Sequence, residues 1–173
     1  PGGNLDLAGT SGSGTLAVLG GLVVTNLQPL AHTGATTVAV GALLAGPFPN
    51  GGPLTIDAGG QVDMPTPSVI ASLSGAGALN FSTLNAGGDG TSTAFTGPMS
   101  GIALLKAGSG RLTLAGPTVH GGATQIDAGT LRFGDGATPP AAIAGAITNN
   151  AALEFHATTG TTLAQGVSAV SYT

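Results

Sequence analysis

The chain has 173 residues, among them 32 glycines and 11 prolines; only 6% are charged, and the formal net charge is −4. Three basic side chains, Lys106, Arg111 and Arg132, cannot neutralise a phosphate backbone or an anionic membrane surface, because such affinity is assembled from many cationic contacts and the counterions they release. Nucleic-acid binding is excluded on that ground. Disorder is excluded on another, since it needs low hydrophobicity together with high net charge, and 42% of these positions are hydrophobic.

No charged side chain occurs between Asp6 and Asp57, a stretch that invites comparison with membrane spans. Gly, Thr, Asn and Pro interrupt it every few positions, so no window of 18 consecutive apolar residues exists and a transmembrane helix is excluded. Cysteine is absent, which fits unfolded passage through an oxidising compartment and fits many cytosolic proteins equally. The sequence opens at Pro1 without a charged n-region and apolar h-region, so a mature fragment or an excised segment is expected.

Glycine at almost one position in five leaves little room for helices, since each interior Gly costs about 1 kcal/mol relative to Ala. What the chain offers instead is a succession of short apolar runs. In order they are Leu16–Leu19, Leu22–Val24, Leu54–Ile56, Gln61–Met64, Val69–Leu73, Ala78–Phe81, Ile102–Leu105, Leu112–Leu114, Leu131–Phe133 and Leu153–Phe155. Glycine-containing turns separate them. Strands of three to five residues at such close spacing predict an all-β fold.

Internal repetition sets the expected architecture. Gly108–Gly116 repeats Gly12–Gly20 at an offset of 96 residues, and Gly122–Leu131 repeats Gly34–Leu43 at an offset of 88. Repeat copies therefore lie near 12–43 and 108–131, and eight extra residues are expected around Leu22 to Leu30 in the first copy. The Ile-Asp-Ala-Gly of 126–129 occurs again at 56–59. Imperfect repeats with insertions at turns suit a solenoid, in which each coil touches only its neighbours. A parallel β-solenoid also accounts for the composition. Its corners need the φ > 0 that Gly supplies, its inward positions take Leu, Ile, Val and Ala, and hydroxyls suit its outer strand faces. Residues 1–173 are read as a single segment of roughly seven to nine coils.

The run from Phe95 to Gly116, with Gly97, Ser100-Gly101, Leu105-Lys106, Gly108, Gly110, Leu112, Leu114 and Gly116 at its fixed positions, resembles the repeat of bacterial autotransporter passenger domains. Its continuation Gly121-Gly122-Ala123-Thr124-Gln125-Ile126-Asp127-Ala128-Gly129-Thr130-Leu131 resembles the next part of that repeat. The resemblance is close over 95–133 and looser over 12–43. His120 stands where the family usually has an aromatic, and His32 takes the same place in the first copy. The resemblance implies a right-handed parallel β-helix exported through an outer-membrane β-barrel. It implies no ligand.

Because hydrolases and lyases also use β-helices, the acids need scrutiny. Asp57 and Asp127 take equivalent Ile-Asp-Ala-Gly positions, about three coils or ~14 Å apart along the axis, whereas hydrolytic pairs sit about 5–9.5 Å apart. Asp57 with Asp63, or Asp127 with Asp135, can lie closer across one corner, but their Asp-Ala-Gly and Gly-Asp-Gly contexts are turn sequences. His32, His120 and His156 show no ligand spacing to a carboxylate or thiolate, which leaves a corner-packing role. Glu154 and His156 share a strand face, which permits a pair.

Gly12-Ser13-Gly14, Gly75-Ala76-Gly77 and Gly108-Ser109-Gly110 lack the third glycine of a dinucleotide fingerprint and open strands rather than helices. No Gly-x-Ser-x-Gly elbow occurs. Gly87-Gly88-Asp89-Gly90 has its Asp in the wrong place for a calcium-binding nonapeptide and is read as a turn. Thr91-Ser92-Thr93 is a lone triplet where an ice-binding face needs a ladder.

The expectation is therefore a non-catalytic structural stalk and export-folding scaffold of a surface-exposed or secreted passenger, with no catalytic, cofactor or metal residues. Its partner is its own C-terminal outer-membrane barrel. The alternatives are an adhesin that binds a host or neighbouring cell through loops 22–30 and 46–53, and a fibre subunit that associates end to end through exposed strand edges.

Overall fold

A computed structural model of the protein describes residues 3–6, 11–25, 31–48, 51–137, 145–156 and 167–168. Within them the short apolar runs become strands, every pairing is parallel, and no helix occurs. The strands stack into three faces of a β-solenoid.

The first face carries Asn4–Asp6, Val23–Thr25, Leu43–Ala45, Gln61–Met64, the opening halves of Ala78–Ala86 and Met99–Lys106, and Thr118–His120. The second carries Ser11–Gly12, Ala31–His32, Ser68–Ile70, the closing halves of Ala78–Ala86 and Met99–Lys106, then Thr124–Ile126, Ile147–Asn149 and Val167–Ser168. One 11-stranded sheet wraps both faces, because Ala78–Ala86 and Met99–Lys106 turn the corner without breaking, while Ser11–Gly12 and Ala31–His32 pair as a separate two-stranded sheet. The third face is an 8-stranded sheet running from Leu16–Val18 to Ala152–Phe155. Eight stacked strands make about seven turns, within the seven to nine coils expected.

Coil length varies. Gln61 pairs with Ala78, 17 residues on, and Ile126 pairs with Asn149, 23 residues on. The run Val69–Leu73 is not one strand: Ser68–Ile70 lies on the second face and Leu73–Gly75 on the third, with the chain turning at Ala71-Ser72. An apolar run gives no sign of a corner when its turn residues are small.

Alternation fills the interior. On the third face Leu54 pairs with Leu73, and further along Leu112 pairs with Leu131, which pairs with Leu153. Leu54, Leu73, Leu112 and Leu131 are almost wholly buried, and burying such a side chain is worth about 1.5–3 kcal/mol. At the last described strand of this face Phe155 stacks on Phe133, centroids 5.8 Å apart.

Glycine does two jobs here. Gly108 turns with φ +65°, and a Cβ on it would fall 1.9 Å from the Gly87 carbonyl oxygen. Gly101 instead makes room: it pairs with Phe81, and a Cβ on it would lie 2.3 Å from the Phe81 ring.

The register separates motifs that look alike. Leu16 and Leu112, which share the offset of 96, both point inward on the third face. Thr36–Val38 lies on the third face but Thr124–Ile126 on the second, so the offset of 88 joins two different faces. The same correction applies to the histidines: His32 belongs to the second face and His120 to the first. The eight-residue extension inferred from that offset loses its basis, since Val23–Thr25 is an ordinary rung of the first face.

Candidate functional site

The described carboxylates each have a place in this scaffold. Asp57 follows Leu54–Ile56 on the third face, its backbone N–H donating to Val38 at 2.9 Å, and it is exposed at a turn closed by Gly60. Asp127 follows Thr124–Ile126 on the second face, its N–H donating to Lys106 at 2.9 Å. Thus the two Ile-Asp-Ala-Gly motifs leave different faces and are not equivalent. Asp127 accepts from Gln125 at 2.7 Å and from Asn150 at 3.4 Å. Asp135 accepts from the Ala137 N–H at 2.8 Å, an Asx turn as its sequence suggests.

Asp89 does the same for Thr91, accepting from its N–H at 2.9 Å and its hydroxyl at 2.8 Å. Partial burial raises the Asp89 pKa, but the hydrogen bonds from Thr91 and Ser72 outweigh it and the net shift is downward. Gly87-Gly88-Asp89-Gly90 is thus a turn, with positive φ at Gly87 and Gly90.

Glu154 and His156 do not pair. Arg132 Nε donates to Glu154 at 2.7 Å and Arg111 approaches its other oxygen at 3.5 Å. The hydrogen bond from Arg132 is the main reason that the Glu154 pKa is lowered, and the charges of Arg132 and Arg111 add to it against partial desolvation. The His156 ring lies against Gly136, where a Cβ would come within 2.7 Å of Nε2. His32 is buried and its Nε2 has no hydrogen-bond partner. The side chain of His120 lies outside the described residues. Among the described residues no group of three His, Cys, Asp or Glu side chains could hold a metal ion.

The buried charge is Lys106, 1% exposed. It occupies an inward position of the second face, paired with Ala86 on one side and Ile126 on the other. Its ammonium donates to the carbonyls of Ala107, Gly108 (2.8 Å) and Ala128 (3.2 Å), so three protons meet three acceptors. Burial lowers its pKa from 10.5 and nearby Asp89 partly restores it. Sequence reasoning missed this position; the signal that could have found it is period two, since Lys106 has the parity of buried Leu104.

Among the described residues, the outer surface has a polar recess that sequence reasoning did not assemble. Asp63 and Asn80 stand side by side on the first face, one coil apart. The Asn80 amide donates to Asp63 at 2.7 Å, and Gln61 Nε2 lies 3.2 Å from both carboxylate oxygens. A groove of about 450 Å³ opens beside them, lined by Asp63, Met64, Pro65, Asn80, Phe81 and Ser82. A second groove, about 240 Å³, lies against the other side of Asn80. Seventeen residues separate the partners, and no local pattern announces their meeting.

Of the segments expected as binding loops, the described parts are built into the stack. Within 22–30, Val23–Thr25 is a strand and 26–30 lie outside the described residues. Within 46–53, Phe48 is buried and Gly51 bridges to Ile70, while 49–50 lie outside the described residues.

Residues 104–133 match the passenger-associated-transport-repeat family model. No curated protein and no solved structure matches the chain. The matched stretch runs from the closing half of Met99–Lys106 to the end of Thr130–Phe133, and so covers about one and a half coils. Repeat match and β-solenoid together fit an autotransporter passenger repeat.

Proposed function

We propose that this chain is a non-catalytic stalk and export-folding scaffold within a surface-exposed or secreted autotransporter passenger, delivered through a C-terminal outer-membrane barrel of its own polypeptide. The observation that supports it is the unbroken register of the third face, where eight strands pair in sequence with inward apolar side chains in line. In such a stack each arriving coil finds a strand edge already formed and an apolar surface to cover. Backbone bonds and burial then accrue one coil at a time, and accretion outside the membrane makes export directional. The repeat family implies a surface or secreted location. The carboxylates of Asp63, Asp89, Asp127, Asp135 and Glu154 fit this reading, since their partners are turns, amides and arginines of the scaffold itself.

Two neighbouring positions test it. Leu114 is 1% exposed and points inward, while Thr113 in the same strand points outward. Leu114→Asp buries an unpaired charge between coils and is expected to reduce the amount at the cell surface strongly, with Thr113→Asp close to wild type. Equal surface levels of the two variants would overturn the scaffold mechanism.

A further inference from the structure

Asn80 opens the tripeptide Asn80-Phe81-Ser82, the one Asn-x-Ser/Thr sequence in the 173 residues. That pattern is an acceptor for N-linked sugar when the middle residue is not proline. A tripeptide alone is weak ground, because a chain rich in Ser and Thr meets the pattern by chance. The setting of this one adds three independent observations.

Presentation comes first. Leu79 and Phe81 on either side of Asn80 are buried, whereas Asn80 itself is exposed on the outer surface of the first face. Period-two alternation places Ser82 on that same outer side. Space comes second. Asn80 is the shared wall of the two grooves, about 450 Å³ and about 240 Å³, that open along this face. Their rims carry the Asp63 carboxylate and the Ser82 and Ser100 hydroxyls, polar groups suited to sugar hydroxyls.

The third observation concerns the amide itself. Its nitrogen carries two hydrogens, and Asp63 Oδ1 takes one of them at 2.7 Å. Substitution at Nδ2 replaces the other hydrogen. The product is a secondary amide that still donates to Asp63, so the modification costs the scaffold no hydrogen bond.

We propose that Asn80 is a site of N-linked glycosylation and that its sugar lies in the groove beside Asp63. The donor is an activated glycosyl phosphate, linked to a nucleotide or a polyprenyl lipid, used by a separate transferase. In the transfer the C1–O bond to phosphate breaks, the Nδ2–C1 bond forms, and the departing amide proton is taken up by the transferase base. No electron changes hands. The acceptor is reachable in the extended chain before folding and in the folded strand after it, so the site does not rest on the scaffold reading.

The test uses the protein from cells of its native host, digested and analysed by electron-transfer tandem mass spectrometry. A whole-saccharide mass increment on Asn80 is expected. Asn80→Gln and Ser82→Ala should lose it, and Ser82→Thr, which keeps the hydroxyl, should retain it. A role of Ser82 in packing alone would not produce that contrast. An unmodified Asn80 in the wild-type protein would overturn the proposal, as would an increment that persists in Ser82→Ala or that maps to a serine or threonine. Surface loss in Leu114→Asp is scored separately, so failure of one idea leaves the other standing.

Discussion

The ammonium of Lys106 donates to the carbonyl of Ala128, 22 residues away and one coil further along the solenoid. A charged side chain thus closes a corner from inside, with the carbonyls of Ala107 and Gly108 completing its coordination. Removing the ammonium leaves these acceptors at a buried corner, and an unsatisfied buried group costs about 1–3 kcal/mol. Lys106→Met, which keeps most of the stem's volume, is expected to lower the urea midpoint by an amount in that range. Unchanged stability would mean that water replaces the ammonium at no cost.

Gly101 and Phe81 form a matched pair across adjacent coils. Gly101→Ala drives a methyl into the ring and is expected to cost about 1–3 kcal/mol, the usual penalty for overpacking. Phe81→Leu should be less harmful in the Gly101→Ala background than in the wild type. A double-mutant cycle on equilibrium unfolding measures this coupling, expected within about 0.5–3 kcal/mol. Strict additivity would refute the pairing.

Glu154 makes the stack sensitive to acid. Its pKa is lower in the folded chain than the ordinary 4.5, first because of the Arg132 hydrogen bond. A carboxylate so depressed contributes stability that is fully present above its unfolded pKa and lost as pH falls through its folded one. The stability difference between wild type and Glu154→Gln should therefore be constant near neutrality and shrink progressively below about pH 4.5. Because the side chain is 37% exposed, added salt should also reduce the difference. A difference that persists unchanged into acid would show that Glu154 acts through packing.

His32 has a buried Nε2 without a partner. An apolar residue of similar reach removes that unmet polar atom, whose burial costs about 1–3 kcal/mol. His32→Leu is accordingly expected to raise the unfolding midpoint. A marked loss of stability would mean that the ring's shape, rather than its polarity, governs this position.

Much of the solenoid was legible in the sequence because it is written in local terms. Period two separates inward from outward side chains within a strand, as Leu112 and Leu114 against Thr113 show. The inward place of Lys106 was not read from the sequence, where an isolated lysine invites a solvent-exposed reading, although it shares the parity of Leu104. The candidate site was less legible than the strands. Glu154, Arg132 and Arg111 converge from three successive coils, and Asp63 meets Asn80 from the coil before.

By itself the sequence determined the strand rhythm, the parallel stacking and which side chains of a strand turn inward, since these follow from alternation, glycine spacing and repetition. Only the tertiary structure decided which face each run occupies. The two Ile-Asp-Ala-Gly motifs read identically, yet one leaves the third face and the other the second. The three faces make similar local demands, a short strand followed by a tight corner, and coil length varies from 16 to 23 residues. A motif therefore carries no label for its face. That assignment is fixed by hydrogen bonds to the coils on either side, which no local pattern encodes.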